Sequence, residues 1–282
     1  MQLYYSKPVL EAGRKSMRCT YISDLHLEFK ALRDPLPEGD ILILAGDITL
    51  AKCLDPKPTE SKEIKLRDST LAFFDEAREK FDHVLYISGN HEPYHFDIEE
   101  TPKAIRKYIE GIIYLDDDLA EIDGVTFIGA TLWTDMDNEN RRAILEISER
   151  INDFKIVSRG RDKFTPMDAV AKFRKSSTYI ADAVSKLEGK PVVVVTHHAP
   201  SPLGLNEKEC GNLLDGAFAS DLHDLMEQNP NITNWVFGHT HVRKTFQIGD
   251  TTCRANCRGY DTVSWNNTNE ANGFDADTWF EI

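Results

Sequence analysis

Five short clusters of Asp, His and Asn residues give this 282-residue chain its clearest chemical signature, because these side chains bind metal ions. In chain order they are Asp24-Leu25-His26, Gly46-Asp47, Gly89-Asn90-His91-Glu92, His197-His198 and Gly238-His239-Thr240-His241. Carboxylate oxygens, imidazole nitrogens and amide oxygens suit divalent cations such as Mn, Fe, Zn, Co or Ni. None of the five clusters contains a cysteine, so the sequence favours a site of oxygen and nitrogen ligands.

Each cluster closely follows a short run of aliphatic and β-branched residues. The runs, which are typical of strands buried on both faces, are residues 19–22, 41–44, 84–87, 192–195 and 235–237. Ligands of open α/β sheets bind beyond the carboxyl ends of the strands, so we predict that the five clusters meet there. In Asp24-Leu25-His26 and His239-Thr240-His241, an extended chain would point the outer two side chains to the same side.

Amphipathic segments between these runs predict the helices that cover the sheets. Thr165 followed by Pro166 is a helix start, and Gly189 is a stop signal at the other end. The apolar face between them consists of Val170, Phe173, Ile180, Val184 and Leu187. Further helices are predicted over 66–77, 101–112 and 220–226, further strands over 125–133, 245–248, 251–255 and 278–282, and a loop at Asn266, Asn267, Asn269 and Asn272.

The composition predicts a folded, acidic protein. Hydrophobic residues make up 41% of the chain and aromatic residues 10%, which is enough for a packed core. With 47 acidic and 33 basic residues the net charge is -14, so nonspecific binding to nucleic acid is not expected. The five cysteines form no CxxC pair, which favours a reducing compartment. Since the sequence has no apolar run long enough to cross a membrane and no signal-peptide pattern, we expect a cytoplasmic protein.

The five clusters together, each at the end of a predicted strand, resemble the calcineurin-like metallophosphoesterases over roughly residues 17–243. The resemblance implies an α/β fold of four layers, in which two mixed β-sheets lie between layers of helices. We expect residues 1–16 to be a leader or flexible arm. Residues 17–282 are then expected to form a single domain, with a helical insertion or cap at about 135–190.

The resemblance also implies a pair of divalent cations, with Mn as the first choice and Fe, Zn, Ni or Co as alternatives. The implied ligands are Asp24, His26 and His241 for one ion, Asn90, His197 and His239 for the other, and Asp47 as the bridge. Two cations about 3.5–4 Å apart lower the pKa of a shared water toward about 7, and the resulting bridging hydroxide attacks phosphorus. Asp47 therefore also counts as a catalytic residue.

His91 follows a predicted ligand directly, and in the family this residue faces the scissile phosphate. The resemblance implies that His91 protonates the leaving oxygen or hydrogen-bonds the transition state. An alternative role is to orient a ligand from outside the metal centre. Glu92 is expected to hold a ligand or His91 in position.

The substrate must be selected by the loops that follow the clusters. Ile48-Thr49-Leu50-Ala51 stands where serine/threonine phosphoprotein phosphatases have a phosphate-binding Arg, which disfavours that branch. Candidate substrate contacts are Asn90, His198, Arg258 and Tyr94, and His198 has an alternative role in supporting a ligand.

We therefore expect an enzyme, a metal-dependent phosphodiesterase that acts on a small or nucleotide phosphoester. A phosphomonoesterase acting on phosphoprotein or sugar phosphate is the alternative within the same chemistry. A binding scaffold without turnover is the alternative from a different class.

Overall fold

Two large β-sheets lie face to face and carry helices on their outer faces. This computed structural model describes residues 16–32, 35–57, 60–187, 189–207, 210–260 and 273–282. The predicted arm at residues 1–16 lies outside the described residues except for its last residue, and so does the predicted loop at Asn266, Asn267, Asn269 and Asn272.

The strands are β1 (Arg18–Ile22), β2 (Gly39–Ala45), β3 (Phe81–Ile87), β4 (Ile113–Tyr114), β5 (Asp118–Ile122), β6 (Val125–Ala130), β7 (Ser158–Arg159), β8 (Asp162–Lys163), β9 (Val192–Thr196), β10 (Ile232–Phe237), β11 (Arg243–Ile248), β12 (Thr251–Asn256) and β13 (Trp279–Glu281). The helices are α1 (Ser61–Lys80), α2 (Thr101–Tyr108), α3 (Met136–Glu139), α4 (Arg141–Arg150), α5 (Asp153–Ile156), α6 (Pro166–Ser185) and α7 (His223–Gln228). Among the described residues, no helix combines the length and apolar character that a membrane-spanning segment needs.

Both large sheets are mixed. The first has the strand order β13-β1-β2-β3-β4, and the second has the order β11-β12-β10-β9-β6-β5. The central strands of each sheet run parallel, whereas β13, β11 and β5 pair antiparallel at the edges. As a result, β1, β2 and β3 end at the same edge of the first sheet, and β9 and β10 end at the same edge of the second.

Alternating side chains of the central strands pack on opposite faces, which explains why the runs are apolar throughout. Ile41 and Ile43 of β2 face the second sheet, whereas Leu42 and Leu44 face the layer formed by α1 and α2. On the far side, Val192 and Val194 of β9 share a core with the apolar face of α6. This succession of helices, sheet, sheet and helices confirms the predicted fold class. The single domain with an inserted cap at about 135–190 stays a prediction.

Several helices differ from their predicted bounds, and α1 extends from Ser61 to Lys80 instead of over 66–77. Helix α2 ends at Tyr108 instead of continuing to Ile112, because Ile113 and Tyr114 leave the helix direction to pair with β3. Helix α7 begins at His223 instead of Ser220, whose hydroxyl is bonded to Asp135. The five cysteines are free thiols.

Helix α6 begins where the sequence predicted, and it is held there by a capping box. The hydroxyl of Thr165 accepts a hydrogen bond from the Asp168 N–H at 3.2 Å. The carboxylate of Asp168 accepts one in return from the Thr165 N–H at 2.9 Å. The two bonds satisfy N–H groups that a helix start would otherwise leave without partners.

We expect Thr165→Ala to lower the free energy of unfolding by about 1 kcal/mol, because it removes one half of the capping box. Chemical denaturation followed by circular dichroism measures the change. Thr165→Ser, which keeps the hydroxyl, is the matched control and should unfold close to wild type. An alanine variant as stable as the serine variant would contradict the role given to the box.

Candidate metal centre

The five sequence clusters meet where the strands end, as predicted. The Nδ1 atom of His197, after β9, lies 2.9 Å from the Ala45 carbonyl oxygen at the end of β2. Gly238, after β10, donates its N–H to the His197 carbonyl at 2.9 Å. The next N–H along the chain, that of His239, bonds Asp24 Oδ1 at 3.0 Å. Contacts across the gap between the two sheets therefore build one site from distant parts of the sequence.

Seven side chains turn their donor atoms toward the middle of this site. Two groups of predicted ligands hold donor atoms within 4.8 Å of one another, namely Asp24, His26 and His241, and Asp47, His197 and His239. A third such group, His26, Glu28 and His91, shares His26 with the first. Asp47 Oδ2 lies between the groups, 3.8 Å from His26 Nε2 and 3.4 Å from His197 Nε2. Asn90 Oδ1 lies 2.9 Å from His197 Nε2, beside the second group. These are the seven predicted ligand positions, and their carboxylate, imidazole and amide donors fit two divalent cations.

Contacts outside this ring of donors orient the donor atoms. Because the Nδ1 of His197 bonds the Ala45 carbonyl, its Nε2 points inward. Asn90 donates its Nδ2 to Asp153 Oδ1 at 2.9 Å, which leaves Oδ1 facing the centre. The same oxygen of Asp153 accepts a bond from the Tyr94 hydroxyl at 2.6 Å. Asp153 was not among the predicted site residues, since nothing in its polar surroundings in the sequence indicates this contact.

Glu92 connects the loop that follows β2 to the loop that follows β3. Its buried carboxylate accepts hydrogen bonds from the N–H groups of Asp47 at 3.1 Å, Ile48 at 2.8 Å and Gly89 at 2.7 Å, and from the Tyr86 hydroxyl at 2.7 Å. Burial and the nearby charge of Asp47 raise the pKa of Glu92 to about 7. Its place directly behind Asp47 matches the supporting role that the sequence suggested.

The backbone of the ligand loops departs from the predicted extended form. The φ angles are 54° at Asp24 and 46° at His26, and 66° at His239 and 50° at His241. These residues do face one centre, but the explanation from extended chain was wrong, because left-handed backbone turns them inward. Such angles cost roughly 1–3 kcal/mol for a residue with a side chain, so the surrounding contacts must hold them.

The charges in the site are arranged around Asp47. Burial alone would raise the pKa of this carboxyl, but the neighbouring His197 and His91 hold it well below the usual range. Burial opposes protonation of His197 as well, yet the Asp47 carboxylate raises the pKa of His197 to about 9. Burial and the positive charge of His197 lower the pKa of the adjacent His198 to about 3. The two neighbouring histidines therefore differ sharply in the charge they carry near neutral pH.

His91 lies beside the centre with contacts on both ring nitrogens. Its Nδ1 is 2.9 Å from Glu28 Oε1, and its Nε2 is 3.2 Å from the Tyr260 hydroxyl and 4.0 Å from Asp47 Oδ2. The ring of Tyr94 stacks on it, with centroids 4.0 Å apart. Although burial disfavours the charged imidazole, Asp47 and Glu28 raise the pKa of His91. This arrangement suits a group that gives a proton to an atom facing Nε2.

Three predicted substrate contacts have other partners. Arg258 donates from its Nη atoms to the carbonyls of Leu25 at 2.7 Å, Lys30 at 2.9 Å and Ala31 at 3.1 Å, so the guanidinium fastens the loop after β1 and the predicted phosphate contact is not supported. His198 is buried against Trp133 and His239, which matches its alternative role of supporting a ligand. The hydroxyl of Tyr94 is bonded to Asp153, and its ring stacks on His91.

Two residues that the sequence did not single out complete the surroundings of His91. Glu28 lies two positions after His26, and its position in the chain was the one available signal. The side chain of Phe29 is 54% exposed and packs edge-on against Tyr260 with centroids 5.4 Å apart. An uncharged aromatic surface therefore borders the centre on the side of His91.

We expect Gly89→Ala to lower metal affinity about 10-fold or more, because an added Cβ would collide with Asp47 Oδ1 and lie 2.7 Å from His197 Cε1. Metal titration followed by calorimetry measures the change. Gly160→Ala is the control, since the added Cβ meets nothing within 4 Å. The φ of 63° at Gly160 means that this substitution lowers stability without affecting the metal centre. Equal metal affinity in the two variants would show that the space at Gly89 is not required.

The chain is similar to one protein family along most of its length. The sequence profile of the calcineurin-like phosphoesterases matches residues 17–243. An uncharacterized protein of Acanthamoeba polyphaga mimivirus is 28% identical over 300 residues, which cover 93% of this chain and 95% of that protein. The phosphopantetheinyl hydrolase of Mycobacterium tuberculosis has a similar fold, with a TM-score of 0.61 and 17% identity over 94% of this chain and 95% of the hydrolase. The chain therefore belongs to the calcineurin-like phosphoesterase family, as its five clusters predicted.

Proposed function

We propose that this protein hydrolyses phosphoesters at a pair of divalent cations, with Mn as the first choice. The proposed ligands are Asp24, His26, Asp47, Asn90, His197, His239 and His241. The position of Asp47 Oδ2 carries the proposal, because it lies 3.8 Å from a ring nitrogen of one group and 3.4 Å from a ring nitrogen of the other. A carboxylate there fits a bridge, since its negative charge offsets the repulsion between two cations.

When bound, two such cations supply a water nucleophile that is active near neutral pH, and they neutralise charge on the phosphoryl oxygens. The new bond joins the water oxygen to phosphorus, and the bond from phosphorus to the leaving oxygen breaks. His91 Nε2 supplies the proton that the leaving oxygen takes up, and solvent restores it. Asp47 and Glu28 raise the pKa of His91, which favours the protonated imidazole that this step needs.

A phosphodiester is the substrate class that the surroundings favour. A diester carries one negative charge where a monoester carries up to two, so it requires fewer cationic side chains. Arg258, the basic side chain that the sequence offered for phosphate, is bound to backbone carbonyls. The exposed ring of Phe29 and the neighbouring Tyr260 offer a surface on which a nucleobase or another planar leaving group can pack.

A paired assay tests this proposal. Protein reconstituted with Mn is given bis-p-nitrophenyl phosphate and p-nitrophenyl phosphate, and a higher kcat/KM for the diester is expected. A higher value for the monoester would favour a phosphatase of phosphoproteins or sugar phosphates. Turnover of neither compound would favour a binding scaffold, although all seven donors are present and converge.

A screen of natural compounds then identifies the substrate. Cyclic nucleotides and dinucleotides are the expected positives, with phosphopeptides and sugar phosphates as the alternatives. A phosphopantetheine-bearing compound joins the set because the hydrolase of similar fold takes its name from that group.

We expect His91→Ala and Asp47→Asn to fail in different ways. His91→Ala should keep both metal ions and lose about 10²- to 10⁴-fold in kcat, because it removes the proton donor alone. Asp47→Asn should lose metal together with turnover, since the bridge serves both ions. Metal content by mass spectrometry and kcat on the diester separate the two.

His83→Ala, at the opposite end of β3, is the histidine control and should resemble wild type. If His91→Ala instead lost metal while kcat per remaining metal centre stayed normal, the assignment of His91 as proton donor would be wrong.

A further inference from the structure

One buried carboxylate oxygen joins a proposed metal ligand to the proposed proton donor. Glu28 Oε1 lies 3.1 Å from the Nδ1 of His26 and 2.9 Å from the Nδ1 of His91. The two imidazole rings meet edge to face, with centroids 4.4 Å apart. The side chain of Glu28 is 7% exposed, so water competes little for these two bonds.

The shared oxygen fixes a proton on the Nδ1 atom of both rings. A carboxylate oxygen accepts hydrogen bonds, so each Nδ1 must carry the proton that it donates. In a neutral His26 the Nε2 is then the atom with a free lone pair, and it points toward Asp47 and His241, at 3.8 Å and 3.1 Å. In His91 the Nε2 points toward Tyr260 and Asp47.

We propose that Glu28 is a positioning residue that holds His26 and His91 at once, so that one ring is aimed at the metal and the other at the leaving oxygen. The proposal rests on the function given above, because it assumes that His91 acts on substrate. The second carboxylate oxygen of Glu28 has no partner among the described residues, so the two rings are the hydrogen-bonding partners that these residues give to the carboxylate.

This arrangement differs from support of a single ligand. Carboxylates behind metal-binding histidines raise ligand basicity, and their loss typically costs 10- to 100-fold in metal affinity or activity. Here one substitution should change two separable quantities, namely metal affinity through His26 and the rate at saturating metal through His91.

Nuclear magnetic resonance of the metal-free protein, at a pH at which both imidazole rings are neutral, tests the proposal without any substrate. Long-range proton–nitrogen correlations should show protonated Nδ1 atoms in His26 and His91 of the wild type. Glu28→Ala should shift or mix both tautomers, whereas Glu79→Ala, an exposed position on α1, should leave both unchanged. Unchanged tautomers in Glu28→Ala would overturn the proposal.

Metal titration provides the second measurement. We expect Glu28→Ala to weaken binding of one ion about 10- to 100-fold. Glu28→Gln should lose less affinity, because its amide oxygen still accepts both bonds.

Glu28, His26 and His91 could alternatively hold an ion of their own. A third bound ion in the wild type that disappears with Glu28→Ala would therefore overturn the positioning role.

Kinetics at saturating metal connect Glu28 to His91. Glu28→Ala should lower kcat about 10- to 100-fold with little change in KM. In a His91→Ala background the same substitution should change kcat less than about 3-fold, because the ring that it positions is gone. A double variant whose loss in kcat equals the product of the two single losses would show that Glu28 acts independently of His91. Should the wild type hydrolyse neither nitrophenyl ester, the proposed function fails, and the tautomer and titration results still decide the role of Glu28.

Discussion

The buried charge of Asp47 is the constraint on which the rest of the site depends. A carboxylate taken out of water is stable only if opposite charge and hydrogen-bond donors replace the solvent. Here Oδ1 accepts the N–H of His91 at 2.8 Å, and Oδ2 faces the ring nitrogens of His26 and His197. The N–H of Asp47 itself is held by Glu92. Loops from both sheets must therefore come together around one side chain.

That requirement explains why the site tolerates backbone φ angles that are unfavourable for residues with a side chain. Asp47 has a φ of 55°, and the same left-handed region holds four other proposed ligands, Asp24, His26, His239 and His241. Gly46, with a φ of 86°, and Gly89 leave the space in which these loops touch. Rigid strands fix where each loop begins, and Glu92 and Asp153 then fix how its side chains turn. The strain is concentrated where metal-binding geometry requires it.

The sequence predicted what depends on residue type and order along the chain. Apolar runs that end in polar clusters predicted the central strands, and the resemblance carried by those clusters predicted the fold and the family. The seven side chains that the resemblance implied do lie close together, and their role as metal ligands stays a prediction. Contacts that depend on three-dimensional distance could not be predicted. Asp153 reaches Asn90 across 63 positions, and no local pattern marks it. Arg258 was expected at a phosphate because it follows a predicted strand, and the sequence does not show that its guanidinium bonds three carbonyls. Glu28 lay beside a recognised motif, but its two bonds appear only when His91 is placed.

The division of the proposed ligands between the sheets has a consequence for the whole fold. Asp24, His26, Asp47 and Asn90 follow strands of the first sheet, and His197, His239 and His241 follow strands of the second. Ions held between these ligands would join the two sheets at the edge where the apolar interior ends and the polar loops begin. The free energy of unfolding would then rise with the concentration of free cation. The gain would be about 2.7 kcal/mol when the free ion exceeds its dissociation constant 100-fold.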